Sequence, residues 1–312
     1  MKNKHIVAII IGIVCIALLA SGCVWSMLDD DTPAPDNPSQ SEEKLPEEKE
    51  PETDSELTSE EQPDEEPDDD SEEKPEEKEP EQPEPSKPDN SDLAGYSGNA
   101  NVATLTKVEA EAILNDPYMV LVNRDNVLPE GYEGIDLVSF GDQKMNRVAG
   151  EAMQRLISAG KAAGYNYVLY SGYRTYSRQY NNYYGKISYY ENNGYSREEA
   201  VRLTNMYYAP PGASEHHTGL AADVCIPSIV NKYACLHEDY EYTDEFKWFY
   251  EHAAEYGFIL RYRKGDEAIT GYNYEPWHFR YVGVDIATEI EKRDITFEEY
   301  VAELQARLKS FE

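Results

Sequence analysis

Between Met145 and Ala163 apolar residues recur at helical spacing, with Val148, Ala152, Leu156 and Ala159 on one face. Tyr167-Val168-Leu169-Tyr170 then reads as a strand that turns at Ser171-Gly172. The pattern predicts helices over Tyr176–Tyr190 and Arg197–Tyr207, the second N-capped by Ser196. Pro210-Pro211-Gly212 ends that helix and opens an irregular loop. Leu220–Ile226 is an apolar run of strand length, and Phe258–Tyr262 and His278–Val282 are two more. Asp244–Tyr256 is helical in period and stops at Gly257; Thr296–Lys309 is a closing amphipathic helix. This mixture predicts an α+β fold in which a small antiparallel sheet is flanked by helices.

Residues 29 to 92 break the pattern. They hold 12 of the 18 prolines and no aromatic residue, and their 29 Asp and Glu against five Lys carry −24 of the formal −33. Such a segment buries too little apolar surface to offset its ordering entropy, which predicts a long disordered N-terminal tether. Its reach is on the order of 45 Å as a coil and about 200 Å when stretched. Residues 93–312 carry −11 with no basic stripe, which argues against nucleic acid as a partner. All 26 tyrosines fall in this part, and tyrosine's wet end suits a polysaccharide or peptide surface.

The first residues read as a targeting signal. Lys2 and Lys4 precede an apolar run, Ile6 to Ala20, that is short for a membrane span of about 20 residues. Leu19-Ala20-Ser21-Gly22-Cys23 resembles a bacterial lipoprotein processing site, with Cys23 as the lipidated N-terminus. Ordinary signal cleavage and an uncleaved anchor are the alternatives, and all three place the chain outside the cytoplasmic membrane. The expected organisation is a signal peptide over 1–22, an acidic linker over 23–92 and one folded domain over 93–312. Cys15 lies inside the signal. Cys225 and Cys235 either form a disulfide, which such a compartment permits, or remain buried thiols.

Two separated motifs carry metal chemistry. Ser214-Glu215-His216-His217-Thr218-Gly219-Leu220-Ala221-Ala222-Asp223 offers an imidazole and a carboxylate, and Glu275-Pro276-Trp277-His278 a second imidazole and a spare carboxylate. A catalytic zinc site needs three such protein ligands and one open position; a hydrolase also needs a nearby base. His216 and Asp223 lie too far apart for one helix face, so a loop entering a strand must join them, with Gly219 permitting the bend. His278 then arrives from another strand.

Ser-x-His-x-x-Gly-x-Ala-x-Asp followed by Glu-x-x-His resembles the VanY-type D-alanyl-D-alanine carboxypeptidases. They belong to the LAS-type zinc metallopeptidases, a group that includes lysostaphin-like enzymes and hedgehog domains. The likeness extends to Leu121-Val122-Asn123-Arg124, Ser171-Gly172-Tyr173-Arg174-Thr175 and Gly257-Phe258-Ile259-Leu260-Arg261-Tyr262, covering most of residues 118 to 285. It implies that His216, Asp223 and His278 bind Zn2+ on the small sheet and that Glu275 is the catalytic base. Arg174 would meet the substrate carboxylate or the developing oxyanion, and Ser214 would help to hold substrate. Competing readings are an ion-pair role for Arg174 and a capping role for Ser214. His217 is expected to point away from the metal. Trp277 is expected to pack the Glu275–His278 turn, His237 and His252 to be ordinary surface or helix residues, and Tyr173 to line the pocket or the core.

The resemblance implies removal of the terminal D-alanine from peptidoglycan stem peptides ending in D-Ala-D-Ala. The setting would be a lipid-anchored enzyme facing the wall of a Gram-positive bacterium. A D,D-dipeptidase or a peptidoglycan endopeptidase using the same site is the nearest rival, and a non-catalytic wall-binding zinc module is the other. If the acidic tract is a stalk, shortening residues 29–92 while keeping the anchor should lower D-alanine release from intact cells several-fold and leave soluble-peptide hydrolysis unchanged. Equal activity of the two forms on intact cells would reduce the tract to a spacer of no particular length.

Overall fold

The computed structural model describes Asn90 and residues 93–312. The predicted signal with Cys15 and Cys23, and the acidic linker apart from Asn90, lie outside the described residues. Helix α1 (Lys107–Leu114) starts at a capping box in which Thr106 accepts from the Glu109 amide and Glu109 reaches back. Strands β1 (Leu137–Phe140) and β2 (Gln143–Asn146) form an antiparallel hairpin that leads directly into α2 (Arg147–Ala162). Helical spacing had placed Met145 in that helix; it belongs to β2 instead. The boundary is set by Asn146, whose side chain accepts from the amides of Val148 and Ala149 and donates to the Ile135 carbonyl at 2.8 Å.

Strand β3 (Val168–Ser171) is followed by α3 (Tyr176–Asn192), capped by Thr175, and α4 (Arg197–Thr204), capped by Ser196 as expected. Helix α4 stops at Thr204 rather than Tyr207, closed by its Asn205 cap. Then come β4 (Ala221–Cys225), α5 (Pro227–Tyr233) and α6 (Asp244–Ala253). A 3-10 turn over Ala254–Tyr256 closes on Gly257 at φ 82°. Strand β5 (Phe258–Leu260), the short α7 (Glu267–Thr270), β6 (His278–Tyr281), α8 (Val284–Arg293) and α9 (Phe297–Lys309) complete the chain.

The central sheet has the order β3-β4-β6-β5, antiparallel throughout. Asp223 stands opposite Ser171 on one side and His278 on the other. Strand alternation then sorts the faces. Ala222, Val224, Phe279 and Tyr281 enter a core with Leu156 of α2 and Phe249 of α6. Asp223, His278 and Arg280 point the other way. A second core joins Ile113 of α1, Ile286 of α8 and Leu304 of α9 to Ile259 of β5 and to Val282 just after β6. Cys225 and Cys235 are both buried free thiols, which decides between the two readings of that pair. Burial pushes the Cys225 thiol up to about 12.

Because Asn146 satisfies two helix amides and one carbonyl, Asn146→Ala should cost about 2 kcal/mol. For a domain of this size that is a fall in Tm of roughly 4–8 °C, readable by calorimetry. An unchanged Tm would mean that the hairpin and α2 hold their junction without this side chain.

Candidate metal centre

The 3-10 turn Glu215–Thr218 and the strand β4 are joined through Gly219, which sits at φ 75°. A Cβ there would lie 2.9 Å from the Asn146 amide nitrogen, so the bend needs glycine for both conformation and space. The turn clamps the loop after β3. His216 Nδ1 donates to the Gly172 carbonyl at 2.7 Å, and the Arg174 amide donates to the His216 carbonyl at 3.0 Å. His216 therefore presents Nε2 to Asp223 Oδ2, at 3.3 Å. On the neighbouring strand His278 presents Nδ1 to Asp223 Oδ1, at 3.1 Å.

These three ligand atoms all lie within 4.8 Å of one another, and all three side chains are buried. Zinc bonds of about 2.0–2.2 Å in tetrahedral geometry put ligand atoms about 3.3 Å apart; each imidazole stands at about that distance from Asp223, His216 from Oδ2 and His278 from Oδ1. The protonation pattern agrees. Burial pulls the His216 imidazole down to about 4, against the opposing pull of Asp223, so it offers a neutral nitrogen. Burial works in the same direction on His278, but the hydrogen bond to Asp223 and the nearby Glu215 carboxylate outweigh it and raise the ring to about 9. Burial raises Asp223, yet the two imidazoles hold it well below the usual carboxylate range. A proton is thus retained where a cation is called for, and a divalent ion would displace it.

His278 is held from behind. Its Nε2 faces Glu215 Oε2 at 3.5 Å, while Glu215 Oε1 accepts from Arg261 Nε at 2.8 Å and Arg280 Nη1 at 2.9 Å. Burial would raise Glu215, but the two guanidiniums keep it ionised well below the usual range. Arg261 spends its other nitrogens on Glu298 of α9, at 2.8 and 2.5 Å. Arg280, fully buried, donates Nη2 to the carbonyls of Tyr118 and Val120. A carboxylate behind a ligating histidine fixes the ring and raises its basicity. Sequence reading passed over Glu215, Arg261, Arg280 and Glu298. The available signal was charged residues inside apolar strand patterns, at Arg261 and Arg280, which demand buried partners.

The centre opens on a cleft of about 1260 Å³ lined by Arg174, Ser214 and Glu275 among others. Glu275 Oε2 is 3.7 Å from His278 Nδ1. Burial raises its carboxyl to about 8, against the pull of His278. Its position is fixed by the backbone: its amide donates to the Tyr262 carbonyl, and its own carbonyl accepts from the His278 amide. Arg174 donates Nη1 to Gln179 at 2.8 Å and Nη2 to Ser171 at 3.2 Å, with Asp223 farther off at 3.8 Å. Ser214 is buried, and its hydroxyl makes no capping bond to the turn it precedes, against the capping reading. His217 points away from the centre, bonding the Arg174 carbonyl through Nδ1 and accepting from the Gly212 amide at Nε2. Trp277 packs against the main core, borders the cleft and hydrogen-bonds Glu275. Tyr173 lines the cleft. His237 caps the turn at Glu238, and His252 bonds back to Trp248 within α6.

Comparison with known proteins gives a consistent picture. A family model described as VanY, D-alanyl-D-alanine carboxypeptidase, matches residues 142–284. A D-alanyl-D-alanine carboxypeptidase of Enterococcus faecalis is 32% identical over 208 residues, spanning 66% of this chain and 74% of that protein. The structure of VanYB in complex with D-alanine-D-alanine superposes with a TM-score of 0.52 at 32% identity, covering 59% of this chain and 97% of that one. That of the LD-carboxypeptidase LdcB gives 0.52 at 36% identity, covering 62% and 88%.

Removing Glu215 leaves two guanidiniums without their shared carboxylate and His278 without its rear contact. Glu215→Gln should cost about 3–5 kcal/mol of stability. It should also weaken zinc binding about 10–100-fold in a chelator competition. Full zinc affinity in a folded Glu215→Gln protein would show that the ring is positioned by the strand alone.

Proposed function

Because the chain belongs to the VanY family of D-alanyl-D-alanine carboxypeptidases, we propose that it removes the terminal D-alanine from peptidoglycan stem peptides at the cell wall. The observation that carries this reading is the convergence of His216, Asp223 and His278 beside a buried carboxyl that is not part of the ligand set. A purely structural zinc site has no use for a base next to an open position.

His216 Nε2, Asp223 and His278 Nδ1 would hold Zn2+. When bound, the ion acidifies a water and polarises the scissile carbonyl. Glu275 takes the proton from the attacking water at its carboxylate. As the carbon–nitrogen bond breaks, it delivers that proton to the departing amine of D-alanine. A carboxyl whose proton affinity is raised by burial suits both halves of the transfer. Arg174, anchored by Gln179 and Ser171, turns its planar fork to the terminal carboxylate. Ser214, with its hydroxyl uncommitted to the turn, meets the peptide backbone.

The finer placement follows from residues 1–92. Lipidation at Cys23 would fix the enzyme to the outer face of the membrane, and the acidic linker would carry the domain into the wall. A second reading is favoured by one observation: LdcB, an LD-carboxypeptidase, is 36% identical over 88% of its length. Under it, the same centre would take D-alanine from a stem already shortened to an L-centred penultimate residue.

Zinc-loaded protein should release one D-alanine from a stem pentapeptide ending in D-Ala-D-Ala, and a strong chelator should abolish the release. Mass spectrometry on matched pentapeptide and tetrapeptide substrates separates the two readings; cleavage of the tetrapeptide alone would overturn the D,D assignment. Glu275→Gln should retain zinc while kcat falls at least about 10³-fold. An active Glu275→Gln enzyme would remove this residue from the proton transfer.

A further inference from the structure

Several cations line the cleft without a role in the hydrolysis, and one of them is set among aromatic rings. Lys186 lies on α3 and lines the same cavity as Arg174 and Glu275. Its Nζ is held among aromatic rings, 4.8 Å from the centroid of Tyr189, 5.1 Å from Tyr190 and 5.9 Å from Tyr208. Among the described residues no carboxylate lies within ion-pairing distance of it, whereas Lys264, another lysine of the cleft, pairs with Glu241. Burial pulls its ammonium below the ordinary lysine value.

An ammonium partly removed from water, with no counter-charge, is costly unless a ligand supplies the missing anion. The tyrosine faces offset part of that cost and hold the side chain toward the cleft. Spacing along α3 indicates where the anion belongs. Gln179, Asn182 and Lys186 all line the cleft and share one face of the helix. Gln179 contacts Arg174 directly. At 1.5 Å per residue, Lys186 stands about 10 Å farther along the axis. An extended peptide covers that distance in about three residues.

We propose that Lys186 is a specificity-determining residue that binds an internal carboxylate of the stem peptide, about three residues before the terminal carboxylate held by Arg174. The inference rests on the stem-peptide reading of the site. Stem peptides carry such internal carboxyls on side-chain-linked glutamate and on diaminopimelate, in free or amidated form. The shared chemistry is a carboxylate against a clasped ammonium; the distance favours the glutamate position.

Two pentapeptides test this, identical except that the side-chain-linked D-glutamate carries a free α-carboxylate in one and a carboxamide in the other, with lysine at the third position. A third peptide, with the carboxamide at glutamate and diaminopimelate in place of lysine, distinguishes the source. The zinc enzyme should prefer the free carboxylate about tenfold in kcat/KM, mostly through KM. Lys186→Met should bring that ratio close to one, and Lys186→Arg should restore it. Calorimetric binding of the same peptides to Glu275→Gln, alone and combined with Lys186→Met, reads the contact without turnover. Binding discrimination without cleavage would sink the hydrolase reading and leave the subsite standing. Cleavage with no discrimination by the unaltered protein, or a ratio unchanged in Lys186→Met, would overturn the subsite. The peptide pair on the unaltered protein needs no substitution, so misfolding of a variant cannot hide the answer.

Discussion

The site depends on one buried carboxylate. Glu215 accepts two guanidiniums on one oxygen and turns the other toward His278. Neither side chain of the Arg261–Glu215 pair has access to solvent. In such surroundings a lone charge would cost several kcal/mol, so the group persists only as a complete set. Completing the set recruits distant chain: Glu298 of α9 binds Arg261, and the Tyr118 and Val120 carbonyls bind Arg280. The N-terminal part of the domain and its last helix are thus tied to the ring that faces the metal position. This gives α9 a purpose even though it lies beyond residues 142–284, where the family match ends.

Register does the rest. Asp223 and His278 are directly opposed on adjacent antiparallel strands, so their side chains share a face without any further device. A slip of one residue in either strand would turn its ligand into the apolar core, bringing Ala222 or Phe279 to the site instead. Packing of Val224 and Phe279 beneath the sheet therefore protects the chemistry above it. His216 arrives by a different route, through a 3-10 turn clamped to the loop at Gly172. A Cβ on Gly172 would lie 2.3 Å from the Lys144 carbonyl oxygen, so the β1–β2 hairpin also takes part in placing that ligand.

These devices explain which features were legible in the sequence. The strands and most helices stood out because their apolar periods are clean and their caps local, as at Ser196 and Thr296. The triad of His216, Asp223 and His278 was legible because the motif specifies residue type and spacing together. The β1–β2 hairpin was missed: Leu137–Phe140 and Gln143–Asn146 are four residues each, and the second is mostly polar. Helix α8 was missed too, since Gly283 opens it at φ 88° without a side-chain cap. The Glu215 network was only half legible: Arg261 and Arg280 stand out as charges inside apolar strand patterns, but their partners do not. Its members are separated by up to 83 residues, from Glu215 to Glu298, and no local pattern announces that a charge has found a partner that far away.

The electrostatics of the cleft bring these threads together. Asp223 and Glu275 converge on His278, and burial alone would discharge one of the carboxyls. A divalent ion reverses that preference, since its charge favours both ionised carboxylates and a neutral imidazole. The site is therefore arranged around a charge that the chain itself does not supply. Arg174 supplies only part of it: its guanidinium bonds Gln179 and Ser171 and stands 3.8 Å from the Asp223 carboxylate, at the edge of ion-pairing distance. Other cations line the cleft on several sides, Lys144 of β2, Arg178 and Lys186 of α3 and Lys264 after β5, and none of them belongs to the triad that would hold the ion.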